Sequence, residues 1–354
     1  MGYAMLFRQL FDATSSTYTY LLADESTREG VLVDTVYERH ARDAALVREL
    51  DIKLVATLDT HCHADHVSGA WLMKQAFGTR TGLSPLYGAK NVDLPLLHGA
   101  RIALGATFLE VRATPGHTPG CVSLVTAAHD KVLTGDALLV RGAGRTDFQG
   151  GDASALYRSI RDQLFTLPDS CVVYPGHDYE GRTSSTIGEE KRHNPRIGGE
   201  AREEDFVGYM KNLGLSHPKL LAVSLPANLR CGEPEDGAFR AGPDWAPLTL
   251  TYAGLLEIDA EWVAQHRAQL ELVDVRSKAE LDGDLGHLGG VRHIPLDELR
   301  ERAGEIDKTR PVVCICQTGK RSGMATVILQ KLGIDRVANL AGGMVHWREL
   351  ELPS

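Results

Sequence analysis

The stretch Thr60-His61-Cys62-His63-Ala64-Asp65-His66 decides how this chain is read. It crowds three imidazoles and a carboxylate into seven residues. Polar and charged groups resist burial unless they find partners, so a cluster this dense points to a metal. Imidazole together with carboxylate suits first-row transition metals. The run Ile52-Lys53-Leu54-Val55-Ala56-Thr57-Leu58 comes just before it. It reads as a buried strand carrying the cluster at its end, where α/β proteins place their sites. The plain alternative is a histidine-rich surface loop, and the residues downstream argue against it.

Working outward, residues 101 to 111 read as a strand that ends in Thr114-Pro115-Gly116-His117-Thr118-Pro119-Gly120. Proline and glycine on both sides of His117 fix a turn that holds the imidazole at a strand end. Val122-Ser123-Leu124-Val125 and Lys131-Val132-Leu133-Thr134 form a hairpin pattern that stops at Gly135-Asp136. Cys171-Val172-Val173-Tyr174 delivers Pro175-Gly176-His177-Asp178. Four strands thus end in metal-type residues: His61/His63/Asp65/His66, His117, Asp136 and His177. Upstream, residues 6–11, 17–23 and 31–34 read as strands. Ala41, Ala44, Ala45, Val47 and Leu50 give residues 38–50 one apolar side, and Ala70 to Phe77 reads as the next helix.

This series resembles the metallo-β-lactamase fold: H-x-H-x-D-H at a strand end, then P-G-H, G-D and G-H. The resemblance covers about residues 5 to 235 and implies an αββα sandwich with the metal at one edge of two sheets. Within that superfamily the chain resembles the persulfide dioxygenases. The segments that carry this are Gly144-Arg145-Thr146-Asp147-Phe148-Gln149, Pro175-Gly176-His177-Asp178-Tyr179, Asn194-Pro195-Arg196 and Pro226-Ala227-Asn228-Leu229-Arg230-Cys231-Gly232. The resemblance implies that His61, His117 and Asp136 hold one Fe(II) per chain. It makes His63, Asp65, His66 and His177 partners that orient ligands and substrate. In dinuclear hydrolases of the superfamily those four would hold a second metal, and the residues themselves leave both readings open. The implied reaction oxidises glutathione persulfide with O2 to sulfite and glutathione. Arginine suits the carboxylates of glutathione because its planar fork binds them in pairs. Arg145, Arg192 and Arg230 are the candidates, with Tyr179 as a hydrogen-bond donor.

The chain has 354 residues, more than one core usually serves. We expect a first domain over 1–235, a linker over 236–250 and a second domain over 251–354, because Pro234, Gly237, Gly242, Pro243 and Pro247 break up a polar run over 233–250. In the second domain Leu272-Val273-Asp274-Val275-Arg276 reads as a strand, and Gly289 to Pro295 as a turn with a short strand. Pro311-Val312-Val313-Cys314-Ile315-Cys316 is an apolar strand running into Gln317-Thr318-Gly319-Lys320-Arg321-Ser322 and a helix. Asn339 to Met344 closes a further β-α step. The Asp-Val-Arg strand, His-Ile-Pro, the C-x-x-G-x-R-S loop and Ala-Gly-Gly-Met resemble a rhodanese domain, a small α/β sulfurtransferase with a mainly parallel sheet. Cys316 is the expected nucleophile. Loop N–H groups and the helix start favour its anion, and Lys320 and Arg321 add positive charge, so a thiolate is favoured. A tyrosine-phosphatase loop would need Cys-x5-Arg; here Ser322 stands at that spacing and the arginine comes one residue earlier. Cys314 follows the same strand period and reads as core.

Net charge is −9, which disfavours a nucleic-acid partner. No apolar run approaches the ~18 residues of a membrane span, and the N-terminus shows no secretory pattern. Six scattered cysteines make no disulfide framework, so we expect a reducing compartment, the cytoplasm. The sequence leaves open whether the chain forms a homo-oligomer. The expected substrates are glutathione persulfide, glutathione, O2 and thiosulfate or sulfite. The rival readings are a dinuclear zinc glutathione thioesterase of the glyoxalase II type with a fused sulfurtransferase, and a non-catalytic sulfur carrier.

Overall fold

The computed structural model describes residues 5–216, 218–235 and 245–354. The chain divides into two compact units, residues 1–239 and 240–354. Most of the expected linker, residues 236–244, lies outside the described residues. Its C-terminal end differs from expectation, because Leu248–Leu250 is a strand and Trp245, Ala246 and Leu248 pack on the core of the second unit.

In the first unit one sheet runs β1 (Met5–Asp12), β2 (Thr17–Asp24), β3 (Glu29–Val33), β4 (Lys53–Leu58), β5 (Arg80–Leu83) and β6 (Leu94–Pro95), in that order. The first three strands are antiparallel and the rest parallel. The other sheet has β7 (Arg101–Leu104), β8 (Thr107–Ala113), β9 (Val122–Thr126), β10 (Lys131–Gly135), β11 (Val172–Pro175) and β12 (Ser185–Thr186), in reverse order. Residues 101–111 are therefore not one strand. The chain reverses at Gly105-Ala106, with Gly105 at φ +55°, and Leu104 pairs with Thr107. A run of strand formers hid a turn that a single glycine makes.

The two sheets face each other. Tyr18, Tyr20, Leu22, Val31, Val33, Ala56 and Leu58 of the first share a core with Ile102, Leu109, Val111, Leu124 and Leu133 of the second. Alternate residues point outward, as the strand period requires. Leu21, Ala23 and Leu32 pack under the helices His40–Glu49 and Ala70–Phe77. Val125, Val132 and Val173 pack under helices that include Ala153–Ser159 and Glu203–Lys211. This is the αββα sandwich. With helices outside both sheets, β2 is buried along its whole length.

The second unit has one sheet, in the order β13 (Leu248–Leu250), β14 (Leu256–Ile258), β18 (Val337–Leu340), β17 (Val312–Ile315), β15 (Glu271–Asp274) and β16 (Arg292–His293). Every pairing is parallel except β13 with β14. Its two faces bury separate cores: Val312, Cys314 and Cys316 on one, Val313 and Ile315 on the other. No helix among the described residues is long and apolar enough to cross a membrane.

Candidate metal centre and candidate thiol site

Three strand ends of the first unit bring His61, His117 and Asp136 together. Asp136 Oδ2 lies 4.0 Å from His61 Nε2 and 3.7 Å from His117 Nε2. Atoms bound to one first-row metal at about 2 Å stand roughly 3–4 Å apart, so the three can share an ion. The other nitrogen of each histidine is already committed. His117 Nδ1 donates to the Arg145 carbonyl at 2.7 Å. Thr60 Oγ1 donates to Asp34 Oδ2 (2.9 Å) and stands 3.0 Å from His61 Nδ1, positioned to accept from it. Both Nε2 atoms are thereby left with lone pairs for a metal, the arrangement that fixes ligand tautomer and ring angle. Burial holds the His61 imidazole well below its usual pKa, which keeps the ring neutral.

The backbone must come close here. Gly135 has φ +50°, and a Cβ on it would stand 2.5 Å from Thr60 Oγ1. A Cβ on Gly176 would stand 2.8 Å from Asp136 Oδ1. Only glycine allows β10 and β11 to end this near the cluster.

His63, Asp65, His66 and His177 form a second group within metal-ligating range of one another. Much of its bonding is internal. His177 donates from Nδ1 to Asp136 Oδ1 (2.7 Å) and from Nε2 to Asp65 Oδ2 (3.0 Å). Burial alone would lower the His177 pKa, but the two carboxylates raise it well above the usual value. Asp65 Oδ2 also contacts His66 Nδ1 (3.0 Å). Thr17 Oγ1 reaches His177 Nε2 at 3.0 Å, Asp65 at 3.2 Å and His66 Nδ1 at 3.3 Å. His63 Nε2 bonds Asp34 at 3.1 Å; burial opposes its charge, yet Asp34 lifts its pKa to about 8. His63 Nδ1 and His66 Nε2 are buried without a hydrogen-bond partner.

Three positioning residues escaped the sequence reading. Asp34 follows β3 at φ +53° and accepts from Thr60 N–H at 2.7 Å. Asn228, at the end of the helix Leu221–Asn228, donates to the carbonyls of His63 and His66 (both 2.9 Å) and accepts from Ser68 N–H (2.8 Å). Thr17 is the third. Each is a buried polar residue at the end of an apolar element, the one local signal that could have flagged it.

The four substrate candidates separate. The exposed Tyr179 ring lies parallel to His177, with centroids 6.2 Å apart. Arg145 is beside the cluster through its carbonyl, but its guanidinium pairs with both Asp147 oxygens (2.6 Å each) and donates to the Leu215 and Ser216 carbonyls. Arg230 donates to the Glu233 carbonyl and reaches Glu235 at 3.7 Å. Arg192 does not come to the site. It lies near Asp169 and Gly188, at the end of β11 opposite His177, because its helix turn faces that loop.

In the second unit β17 delivers Cys316 to a loop that opens the helix Lys320–Lys331, with Gly319 at φ +87° before it. All six cysteines are free and buried. Burial pushes Cys62, Cys121 and Cys231 up to about 12, Cys171 to about 11, and Cys314 higher still. Burial acts on Cys316 too, but the Ser322 hydroxyl and the N–H groups of Ser322, Thr318 and Gly319 more than offset it and bring the thiol below its usual value. Ser322 Oγ donates to Cys316 Sγ at 3.2 Å. Lys320 is exposed at the first helical position, and Arg321 pairs with Glu280.

Residues 13–177 match the metallo-beta-lactamase superfamily, and residues 259–350 match the rhodanese-like domain. The human protein named persulfide dioxygenase ETHE1, mitochondrial, is 48% identical over 232 residues, which is 65% of this chain and 90% of the relative. The crystal structure of ETHE1 from Myxococcus xanthus superposes with a TM-score of 0.62 at 49% identity, covering 64% of this chain and 99% of that one. A metallo-beta-lactamase structure from Staphylococcus aureus covers 95% of this chain and 98% of its own at TM-score 0.61 and 24% identity, a likeness of fold alone. The sandwich and its strand-end donors define a protein of the metallo-beta-lactamase superfamily with a rhodanese-like domain at its C-terminus. Within that superfamily the chain belongs to the persulfide dioxygenase family.

Proposed function

We propose that the first unit holds one Fe(II) on His61, His117 and Asp136 and oxidises the outer sulfur of glutathione persulfide with O2. The balance is glutathione persulfide, O2 and water to glutathione, sulfite and two protons. The observation that carries this reading is the convergence of the two Nε2 atoms and Asp136 Oδ2, with each histidine's other nitrogen already committed. Iron in such a two-histidine, one-carboxylate set would supply open positions for a soft sulfur donor and for O2. The Arg145 carbonyl holds the proton on His117 Nδ1 and so aims the ring. His177 ties Asp136 Oδ1 and leaves Oδ2 facing the histidines. Tyr179, exposed beside His177, would meet substrate at the rim.

A second metal would need His63, Asp65, His66 and His177. Two nitrogens of that set stand free, but in this arrangement His177 donates from both of its nitrogens and Asp65 Oδ2 is shared among three groups. That bonding favours one ion.

In the second unit we propose that Cys316 carries sulfane sulfur between thiosulfate or sulfite and glutathione. The thiolate attacks the outer sulfur of thiosulfate, a Cys316 S–S bond forms, and sulfite leaves with the electron pair. Glutathione then removes the outer sulfur as its persulfide and regenerates the thiolate. We place the enzyme in the cytoplasm, where its unpaired thiols would stay reduced.

The test is metal content of the purified full-length chain, paired with O2 uptake on adding glutathione persulfide. About one iron per chain with uptake and sulfite release is expected. Two zincs without uptake would replace the reading by a dinuclear glutathione thioesterase.

A further inference from the structure

The segment Asn194-Pro195-Arg196 is one of those that carry the family resemblance, yet none of its residues is of a metal-ligating type. It follows the helix Ile187–His193. Proline disfavours a helical residue before it, and Asn194 accordingly leaves the helix at ψ 117°. Its buried side chain faces the loop 141–145. Nδ2 donates to the Gly142 carbonyl (3.0 Å) and to Glu190 Oε2 (2.7 Å). Oδ1 accepts from the N–H groups of Arg196 (3.0 Å) and Ile197 (3.3 Å). Both donors and both lone pairs of the amide are thus in use. Arg196 Nη1 donates to the Ala143 carbonyl (2.8 Å), and its guanidinium lies over the Tyr209 ring. Glu190 is fully buried. Its Oε2 accepts from the Arg141 N–H (3.0 Å), and its Oε1 accepts from the Arg141 guanidinium. Three consecutive residues, Arg141, Gly142 and Ala143, are therefore gripped by one helix end.

The next two residues of the loop meet the ligands His117 and Asp136. The Gly144 N–H donates to the Asp136 carbonyl (2.9 Å). A Cβ on Gly144 would stand 2.1 Å from that oxygen and 3.1 Å from His117 Cβ, so only glycine lets the loop come this close to both. The Arg145 carbonyl accepts from His117 Nδ1 (2.7 Å). One short loop is thus clamped at its start and touches two ligands at its close. Its backbone is also strained. Arg141 stands at φ +56°, a region that a residue with a Cβ seldom takes and that persists only where its surroundings over-determine it. Glu190 holds that residue by both its N–H and its side chain. A buried carboxylate needs such partners, so the grip is mutual.

We infer that Asn194 and Arg196, anchored by Glu190, are positioning residues for the iron centre. Through the loop they fix the Gly144 N–H and the Arg145 carbonyl, and so set the place of Asp136 and the aim of the His117 ring. The inference rests on the reading of His61, His117 and Asp136 as the iron ligands. It gives each residue of the segment a task. Asparagine holds the Gly142 carbonyl, proline ends the helix, and arginine holds the Ala143 carbonyl. His61 lies outside this device, because its ring is held by Thr60 and, through Thr60, by Asp34. The two histidine ligands are therefore aimed by separate parts of the chain, and the clamp acts on one of them.

The test uses the full iron-loaded chain with Asn194→Ala and Arg196→Met. Methionine keeps much of the packing of the half-buried Arg196 stem and removes the bond to the Ala143 carbonyl. That milder variant keeps the test decisive where Asn194→Ala does not fold. Iron affinity, measured against a chelator, should fall about tenfold in Asn194→Ala and about threefold in Arg196→Met, at or below the lower end for a group that orients a metal ligand. The EPR spectrum of the nitric oxide adduct of the Fe(II) chain should change in both, because it reports ligand geometry and not the stability of the fold. A folded variant with unchanged iron affinity and spectrum, whatever its unfolding temperature, would overturn the inference and leave the segment a prop of the fold alone. An unmodified chain that holds no iron would overturn the iron reading itself, and the inference with it.

Discussion

The two sites both present buried polar groups for sulfur chemistry, and they are built in opposite ways. The metal centre draws on residues from Thr17 to Asn228, so its geometry depends on strands, loops and a helix far apart in sequence. The thiol site is local. Cys316, Thr318, Gly319 and Ser322 form the anion cradle within one strand-to-helix turn, with Glu280 as the long-range partner of Arg321. A distributed site spreads its vulnerability over the whole sandwich, whereas a local one concentrates it on the loop. The two should therefore fail separately.

The sharpest break is His117→Ala. It removes one ligand atom and the link to the Arg145 carbonyl. Bound iron and O2 uptake should fall by more than the ~10–100-fold that loss of a ligand's supporting partner costs, while sulfur transfer persists. Metal analysis beside both assays decides it, and iron at full occupancy would remove His117 from the ligand set. The matching change in the other unit is Cys316→Ser. Sulfur transfer should vanish and O2 uptake with glutathione persulfide should remain. If a folded Cys316→Ser protein lost both activities, the two sites would not be independent.

A subtler break lies in Asn228. Alanine there strands two buried carbonyls and the Ser68 N–H across more than 150 residues of chain. Unsatisfied buried groups cost about 1–3 kcal/mol each. Iron affinity, measured against a chelator, should weaken by about tenfold, and the first unit should unfold at lower temperature. Unchanged affinity would mean that the His61–His66 loop holds its shape without the helix.

The contrast also explains what the sequence could reveal. The strand ends at His117, Asp136 and His177 were legible because glycine or proline stands beside each donor, and His61 because its cluster is dense and follows an apolar strand. Cys316 was legible for the same reason, and the period of two correctly put Cys314 on the same face of β17, in the core. Asp34, Thr17 and Asn228 were missed, because their one local signal, a polar residue at the edge of an apolar element, names no role, and their partners lie far along the chain. Arg192 misled because a charged residue in a family-like segment says nothing of the direction its helix turn faces. Arg321 shows a different limit: its charge is paired by Glu280, 41 residues away, which no local pattern signals.

The smallest expected effect tests the local side of the comparison. Ser322→Ala removes the hydroxyl that donates to Cys316 Sγ at 3.2 Å and leaves the backbone N–H groups in place. The folded pKa of this thiol lies below its usual value, so the thiolate prevails above that pKa and is lost as pH falls through it. Without the hydroxyl, burial regains part of its upward pull. The acid limb of the sulfur-transfer rate should therefore move to higher pH. Well above both limbs both proteins carry the thiolate and keep the backbone N–H groups, so the rates should agree within about twofold. A limb that does not move would assign the depressed thiol to the backbone cradle alone, and the loop, rather than any side chain, would then be the whole of the device.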